Sequence, residues 1–149
     1  MYSNGTPIIV PSGNAKGLAH YPHARLLPSQ SRILQLSGIG SRRPDGTFEG
    51  AHKNADGTLT LNVEEQTAAI LRNIEAVIKH ATNGKGGLEN VIDATVFLLD
   101  MKAHYGGMNA VWNKTWTSPE SAPARTAIGV RELPSPEMIV EIKCTASVE

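Results

Sequence analysis

Two side chains in the last quarter of the chain are of types that could act together on a small organic acid. Arg125 follows Pro123-Ala124 at the start of an extended stretch, and its planar guanidinium can hold a carboxylate through two charge-assisted hydrogen bonds. Glu141 lies in the stretch Met138 to Ala146, where side chains alternate: Met138, Val140, Ile142 and Cys144 point one way, Ile139, Glu141, Lys143 and Thr145 the other. A carboxyl group flanked by aliphatic residues is suited to general acid or base work near neutrality. The same pattern also fits an exposed strand face with Glu141 and Lys143 as solvated neighbours, and a lone arginine at a strand start is ordinarily a surface cation. The expected company of Arg125 and Glu141 on neighbouring strands is what points to a site.

The other chemically capable residues point away from cofactors. His20 and His23 share a proline-containing segment and would need a third metal ligand from elsewhere, while His52, His80 and His104 are scattered, so no metal is expected. Gly38-Ile39-Gly40-Ser41-Arg42-Arg43 begins like a dinucleotide fingerprint, but Arg43 stands where the third glycine belongs and no helix-forming stretch follows. Phosphate-binding loops and nucleophile elbows are absent from the sequence. The single cysteine, Cys144, falls on the apolar side of its strand and reads as an inert buried thiol.

Elements must position these residues. Prolines 7, 11, 22 and 28 limit residues 1–30, a loop-rich segment, to short extended pieces. Arg32 to Leu36 has strand composition and runs into Ser37-Gly38-Ile39-Gly40, where glycine permits a bulged backbone. Pro44-Asp45-Gly46 and Ala55-Asp56-Gly57 are turn signals around a surface hairpin or loop. Asn62 caps a helix with Glu64 and Glu65 in its first turn, and Ile70, Leu71, Ile74, Val77 and Ile78 form its buried stripe, with Arg72, Glu75 and Lys79 outside. Asn83-Gly84-Lys85-Gly86-Gly87 ends it. Val91 to Leu99 reads as a buried strand and Tyr105 to Trp116 as a second helix. Ala124 to Leu133 and Met138 to Ala146 read as a terminal antiparallel pair joined through Pro134-Ser135-Pro136.

This order predicts one α+β domain over residues 1–149, a mixed sheet with two helices on one face. Each helix has one apolar stripe, so the other face calls for a symmetric partner. At 149 residues, 40% hydrophobic and 19% charged, the chain has the composition of a soluble domain, and the absence of a basic-then-apolar leader and of any membrane-length run predicts a cytoplasmic protein that uses no membrane. Fourteen Lys and Arg balance fourteen Asp and Glu, which argues against nucleic acid as a partner.

Pro123-Ala124-Arg125-Thr126, Val130-Arg131-Glu132-Leu133-Pro134 and Val140-Glu141-Ile142 together resemble the C-terminal signature of the RidA/YjgF/UK114 family of enamine and imine deaminases. Val96-Phe97-Leu98-Leu99-Asp100-Met101, with Asn109 beyond it, is similar to that family's central strand and following helix, so the likeness runs from about Arg32 to Ala146. His20-Tyr21-Pro22-His23, Ser37-Gly38, Ser41-Arg42-Arg43-Pro44-Asp45, Thr47-Phe48 and Leu133-Pro134 before Pro136 most resemble its 2-aminomuconate deaminase branch. The resemblance implies a chorismate-mutase-like fold, a homotrimer with active sites between subunits, and a small carboxylate substrate. It implies Arg125 as the anchor of that carboxylate and Glu141 as the acid that orients water. Ser37, Gly38, Asn109 and Tyr21 would line the site, and Arg42 or Arg43 is the candidate partner for a second carboxylate. Many relatives carry Cys where this chain has Ala127, so chemistry needing that thiol is not expected. The implied activity is hydrolytic deamination, of 2-aminomuconate or more broadly of 2-iminoacids. A ligand-binding, chaperone-like or ribonuclease role is the alternative from another class.

Overall fold

The computed structural model describes residues 2–11 and 17–149; Met1 and residues 12–16 of the expected loop-rich segment lie outside the described residues. In chain order the elements are β1 (Thr6–Ile8), β2 (Ala24–Leu26), β3 (Arg32–Gln35), β4 (Ala51–Lys53), β5 (Leu59–Leu61), α1 (Val63–Ala81), a 3-10 turn (Leu88–Asn90), β6 (Val91–Leu98), α2 (Met101–Thr115), β7 (Ala124–Gly129) and β8 (Val140–Val148). The main sheet has four strands in the order β3-β8-β6-β7, and β1-β2 and β4-β5 are separate two-stranded ribbons. This is an α+β arrangement with a mixed sheet, as the element order predicts. No helix among the described residues is long and apolar enough to cross a membrane.

α1 begins where expected, because the Asn62 side chain accepts the Glu65 backbone N–H and so satisfies a donor that the first helical turn leaves without a partner. Ile70, Ile74 and Ile78 are buried from this helix, but Val77 is 40% exposed: the stripe is narrower than the sequence suggested, centred on the three- and four-residue repeat that includes Gln66. Gln66 itself is fully buried. Its amide donates to the Glu137 carbonyl and its oxygen accepts the Ile139 N–H, which ties α1 to the entry of β8.

α2 starts four residues earlier than the sequence reading placed it. Asp100, in a left-handed conformation, accepts the Ala103 N–H and caps the helix at Met101. Gly107 lets α2 approach α1, since a Cβ there would lie 2.6 Å from Val63 Cγ1, whereas a Cβ on neighbouring Gly106 would meet nothing within 4 Å. Gly106→Ala is therefore expected to raise stability by about 0.5 to 1 kcal/mol through helix propensity. Gly107→Ala is expected to lower it by about 1 to 3 kcal/mol through overpacking. Urea unfolding of the two variants beside the wild type checks the opposite signs.

The expected antiparallel pairing of the last two strands does not occur. β7 pairs in parallel with β6, and β8 lies between β3 and β6, antiparallel to both. The physical reason is the crossover: α2 leaves the end of β6 and returns the chain beside it, which makes β6, α2 and β7 a strand-helix-strand unit with parallel strands. β7 then ends at Gly129, short of the predicted Leu133, and the connection through residues 130–139 passes the end of β6, where Val130 N–H bonds Leu98 and Leu99 N–H bonds Ile139.

The core forms where the helices cover one face of this sheet: Ala94, Val96 and Leu98 of β6 and Val140, Ile142, Cys144 and Ala146 of β8 pack with Ile70, Ile74, Met108 and Trp112. The opposite face presents Thr95 and Phe97 of β6, Glu141, Lys143 and Thr145 of β8, and Thr126 and Ile128 of β7; Ile128 is 43% exposed. Nothing in the chain's described residues lies over it as a second layer of helix.

Cys144 is on the core side, as its alternation predicts, and burial pushes its thiol up to about 12. The native protein is expected to resist alkylation at pH 8 and to react once unfolded; mass spectrometry after iodoacetamide treatment with and without urea reads this directly.

Candidate functional site

Arg125 is paired with Ala94 across the β6-β7 ladder and therefore points to the helix-covered face. Its guanidinium is held by α2. Nη1 donates to Asn109 Oδ1 at 2.8 Å and lies 3.7 Å from Met108 Sδ, and Nη2 donates to the Tyr105 hydroxyl at 3.2 Å. Tyr105, Met108, Asn109 and Trp112 are spaced three and four apart, so one face of α2 supplies all of these contacts. The guanidinium carbon stands 4.9 Å from the Tyr21 ring, 4.8 Å from the Trp112 ring and 5.8 Å from that of Tyr105.

The segment carrying Tyr21 is pinned to the same helix. His20 N–H donates to Asn113 Oδ1, Trp112 Nε1 donates to the His20 carbonyl, and the His20 ring is 2.8 Å from the Trp116 carbonyl through Nδ1. The Tyr21 hydroxyl accepts the Leu18 N–H.

Every partner of the Arg125 guanidinium is neutral. Burial draws its pKa below the ordinary arginine value, with Tyr105 and Tyr21 acting the other way, and it remains a cation. Among the described residues no carboxylate pairs with it, the ion pairs being His52–Glu65, Arg72–Glu49 and Lys79–Glu75, all at the surface. Arg25 shows the contrast. Its fork closes on the carbonyls of Asn4, Gly5, Glu120 and Ala122, so it clasps the first ribbon to the turn before β7 and has little left to offer a ligand.

Glu141 is paired with Phe97, three residues along β6 from Ala94, and so points to the uncovered face. Its carboxylate accepts no hydrogen bond from any described residue. Ser37 and Gly38 lie beside it for a local reason: Leu36 bonds to Cys144 and Ile39 to Ile142, which leaves Ser37 and Gly38 opposite Lys143 alone, a bulge of the kind the glycines predicted. A Cβ on Gly38 would collide with Glu141 Oε1, so glycine at this position makes room for the carboxylate.

The expected residues therefore fall into separate groups. Tyr21, Asn109 and Arg125 come together under α2, joined by Tyr105, Met108 and Trp112, of which Tyr105 had no predicted role although its helical spacing to Asn109 was visible. Ser37, Gly38 and Glu141 meet on the opposite face of the sheet. Arg42 and Arg43 lie in the exposed loop before β4 and bond to neither group. Arg43 Nη1 donates to Thr47 Oγ1, and Asp45 accepts the Thr47 hydroxyl and N–H rather than pairing with either arginine. Two surface clefts, of about 810 and 420 Å³, border other parts of the chain, and neither is lined by Arg125 or Glu141. No cluster of potential metal ligands occurs among the described residues.

The family model described as Endoribonuclease L-PSP matches residues 19–148, and the chain belongs to that family, the RidA/YjgF/UK114 superfamily. A RutC family protein of Synechocystis is 39% identical over 85 residues, which is 57% of this chain and 61% of that protein. The RutC family protein UK114 of Drosophila melanogaster is 39% identical over 88 residues, 57% of this chain and 59% of its own length. The chain thus spans about three-fifths of these relatives. Among solved structures, a Rid-family protein of unknown function from Yersinia pestis superposes with a TM-score of 0.75 at 20% identity, covering 97% of this chain and 99% of that one, which is a likeness of fold. A YjgF-family protein from Neisseria meningitidis gives 0.56 at 30% identity over 78% of this chain and 80% of its own.

Proposed function

We propose that this protein is a hydrolytic deaminase of carboxylate-bearing enamines or imines, with 2-aminomuconate, converted with water to 4-oxalocrotonate and ammonia, as its substrate. The observation that carries the reading is Arg125: a half-buried cation framed by aromatic rings and neutral acceptors, with no carboxylate of its own. A site of that construction favours an anionic ligand that replaces lost solvation.

The enamine tautomerises to an imine. Water then adds to the imine carbon, forming the C–O bond as the C=N π pair moves to nitrogen, which takes up a proton. Glu141 carries that proton from the attacking water to nitrogen, giving a carbinolamine, then takes the hydroxyl proton and delivers it to the amino nitrogen, so that the C–N bond breaks with release of ammonia as the carbonyl forms. Asn109 and Tyr21 hold the Arg125 fork, Ser37 and Gly38 shape the surroundings of Glu141, and Arg42 or Arg43 would meet a second carboxylate. Neither a cofactor nor a metal ion is required by this sequence of steps.

One chain does not bring the two halves together. Arg125 and Glu141 occupy opposite faces of the sheet with β6 between their strands, so the reading includes a homotrimer in which the arginine of one copy and the glutamate of another complete each site. The uncovered face that bears Glu141 is the surface such a contact would use.

Ammonia release from freshly generated 2-aminomuconate and from 2-iminopropionate, with the wild type beside Arg125→Ala and Glu141→Ala, tests this function. Turnover of 2-aminomuconate that both substitutions lower by about ten-fold or more is the expected result. Turnover of 2-iminopropionate alone would make the protein a general imine scavenger. Turnover of neither, with salt-sensitive RNA cleavage in their place, would favour the ribonuclease activity its family description names.

A further inference from the structure

Tyr105 stands one helical turn before Asn109, and its hydroxyl oxygen is already engaged as an acceptor of Arg125 Nη2–H at 3.2 Å. A phenol has a proton to donate as well as lone pairs to accept with, and no described residue accepts the Tyr105 proton. Accepting from a cation makes the O–H a stronger donor, and it turns that proton away from the guanidinium.

The rest of the fork narrows where a ligand can bind. Nε is buried with no hydrogen-bond partner. Nη1 is engaged with Asn109 Oδ1 and lies against Met108 Sδ, so both of its sides are occupied by α2. Nη2 has two N–H groups and spends one of them on Tyr105. The adjacent donors left are the second Nη2–H and the Tyr105 O–H, whose heavy atoms are 3.2 Å apart.

We infer that Tyr105 is a specificity-determining residue: its hydroxyl and Arg125 Nη2 form a donor pair that selects an ionised carboxylate on the ligand. The inference rests on the reading of Arg125 as the anchor. Two convergent donors suit a group that accepts at both oxygens. A carboxamide of the same shape turns its own N–H₂ toward one of them and leaves donor facing donor, a mismatch that polar sites reject strongly.

Calorimetric titration of pyruvate, the product of 2-iminopropionate hydrolysis, and of its neutral amide tests the pair in wild type, Tyr105→Phe and Arg125→Ala. Phenylalanine keeps the ring over the guanidinium and removes only the hydroxyl. The expected result is pyruvate binding weakened about ten-fold or more in Tyr105→Phe, with amide binding no weaker than in the wild type and melting temperature unchanged. KM for 2-iminopropionate should rise by the same factor at constant kcat.

If Tyr105→Phe weakens both ligands alike and lowers the melting temperature, Tyr105 is only a prop and the donor pair is overturned. The same follows if Tyr105→Phe binds pyruvate like wild type while Arg125→Ala does not, in which case the anchor survives without the pair. Pyruvate binding indifferent to Arg125→Ala overturns the anchor itself.

Discussion

Equal mixing of Arg125→Ala and Glu141→Ala chains, each strongly impaired alone, is expected to restore deaminase activity once they are unfolded together and refolded. Each site in the proposed assembly takes its arginine from one copy and its glutamate from another. An intact site then forms wherever a Glu141→Ala chain supplies the arginine and an Arg125→Ala chain the glutamate. Random assortment makes that combination about a quarter of all sites, so the mixture should recover about a quarter of wild-type activity per chain. The measurement is ammonia release from the refolded mixture, with each variant refolded alone as the control. If both groups acted from the same chain, every site would carry one defect and the mixture would be no more active than the average of the two variants alone. The prediction follows from sheet geometry: Arg125 shares a face with Ala94, Glu141 shares one with Phe97, and those two stand three positions apart on β6, an odd offset that puts them on opposite faces.

Arg125→Ala and Arg125→Lys separate charge from geometry. A hydrogen bond to a charged group contributes about 1.5 to 3 kcal/mol, so Arg125→Ala should lower kcat/KM for a carboxylate substrate by about ten- to a hundred-fold, and further where the transition state leans on the anchor. Lysine restores the cation but not the planar fork: it can neither reach Asn109 and Tyr105 together nor stack between Tyr21 and Trp112 in the same way. Its kcat/KM is expected to fall with that of alanine and well below the wild type. Steady-state kinetics on 2-iminopropionate, with melting temperatures to show that both variants fold, decide the matter. Near-wild-type activity in Arg125→Lys would mean that only a positive charge is needed, and the cage of α2 would then be packing and nothing more.

The candidate residues are legible in the sequence, but their grouping is not. Residue type, alternation and a likeness of motifs single out Arg125, Glu141, Asn109, Tyr21 and Ser37-Gly38; the structure gathers Tyr21, Asn109 and Arg125 under α2, and it places the bulged Gly38 against Glu141 on the opposite face. Tyr105 is not singled out by the sequence because the predicted helix begins on it. Recognising Asp100 as the cap would have placed it a full turn inside, on the same face as Asn109.

Local chemistry determined what each segment becomes: Asn62 and Asp100 start helices, glycines end or bulge the chain, and alternation decides that Cys144 is buried while Glu141 is not. Such signals act over a few residues and are carried by neighbouring side chains. Which strands pair was decided only by the tertiary structure. An extended segment carries the same alternation whether its neighbour is antiparallel or parallel, so nothing within residues 124–146 excluded a terminal hairpin. The return of α2 across the sheet made β7 parallel to β6 and placed β8 between β6 and β3. That single choice sets β6 between the strands of Arg125 and Glu141 and brings Arg125 under α2.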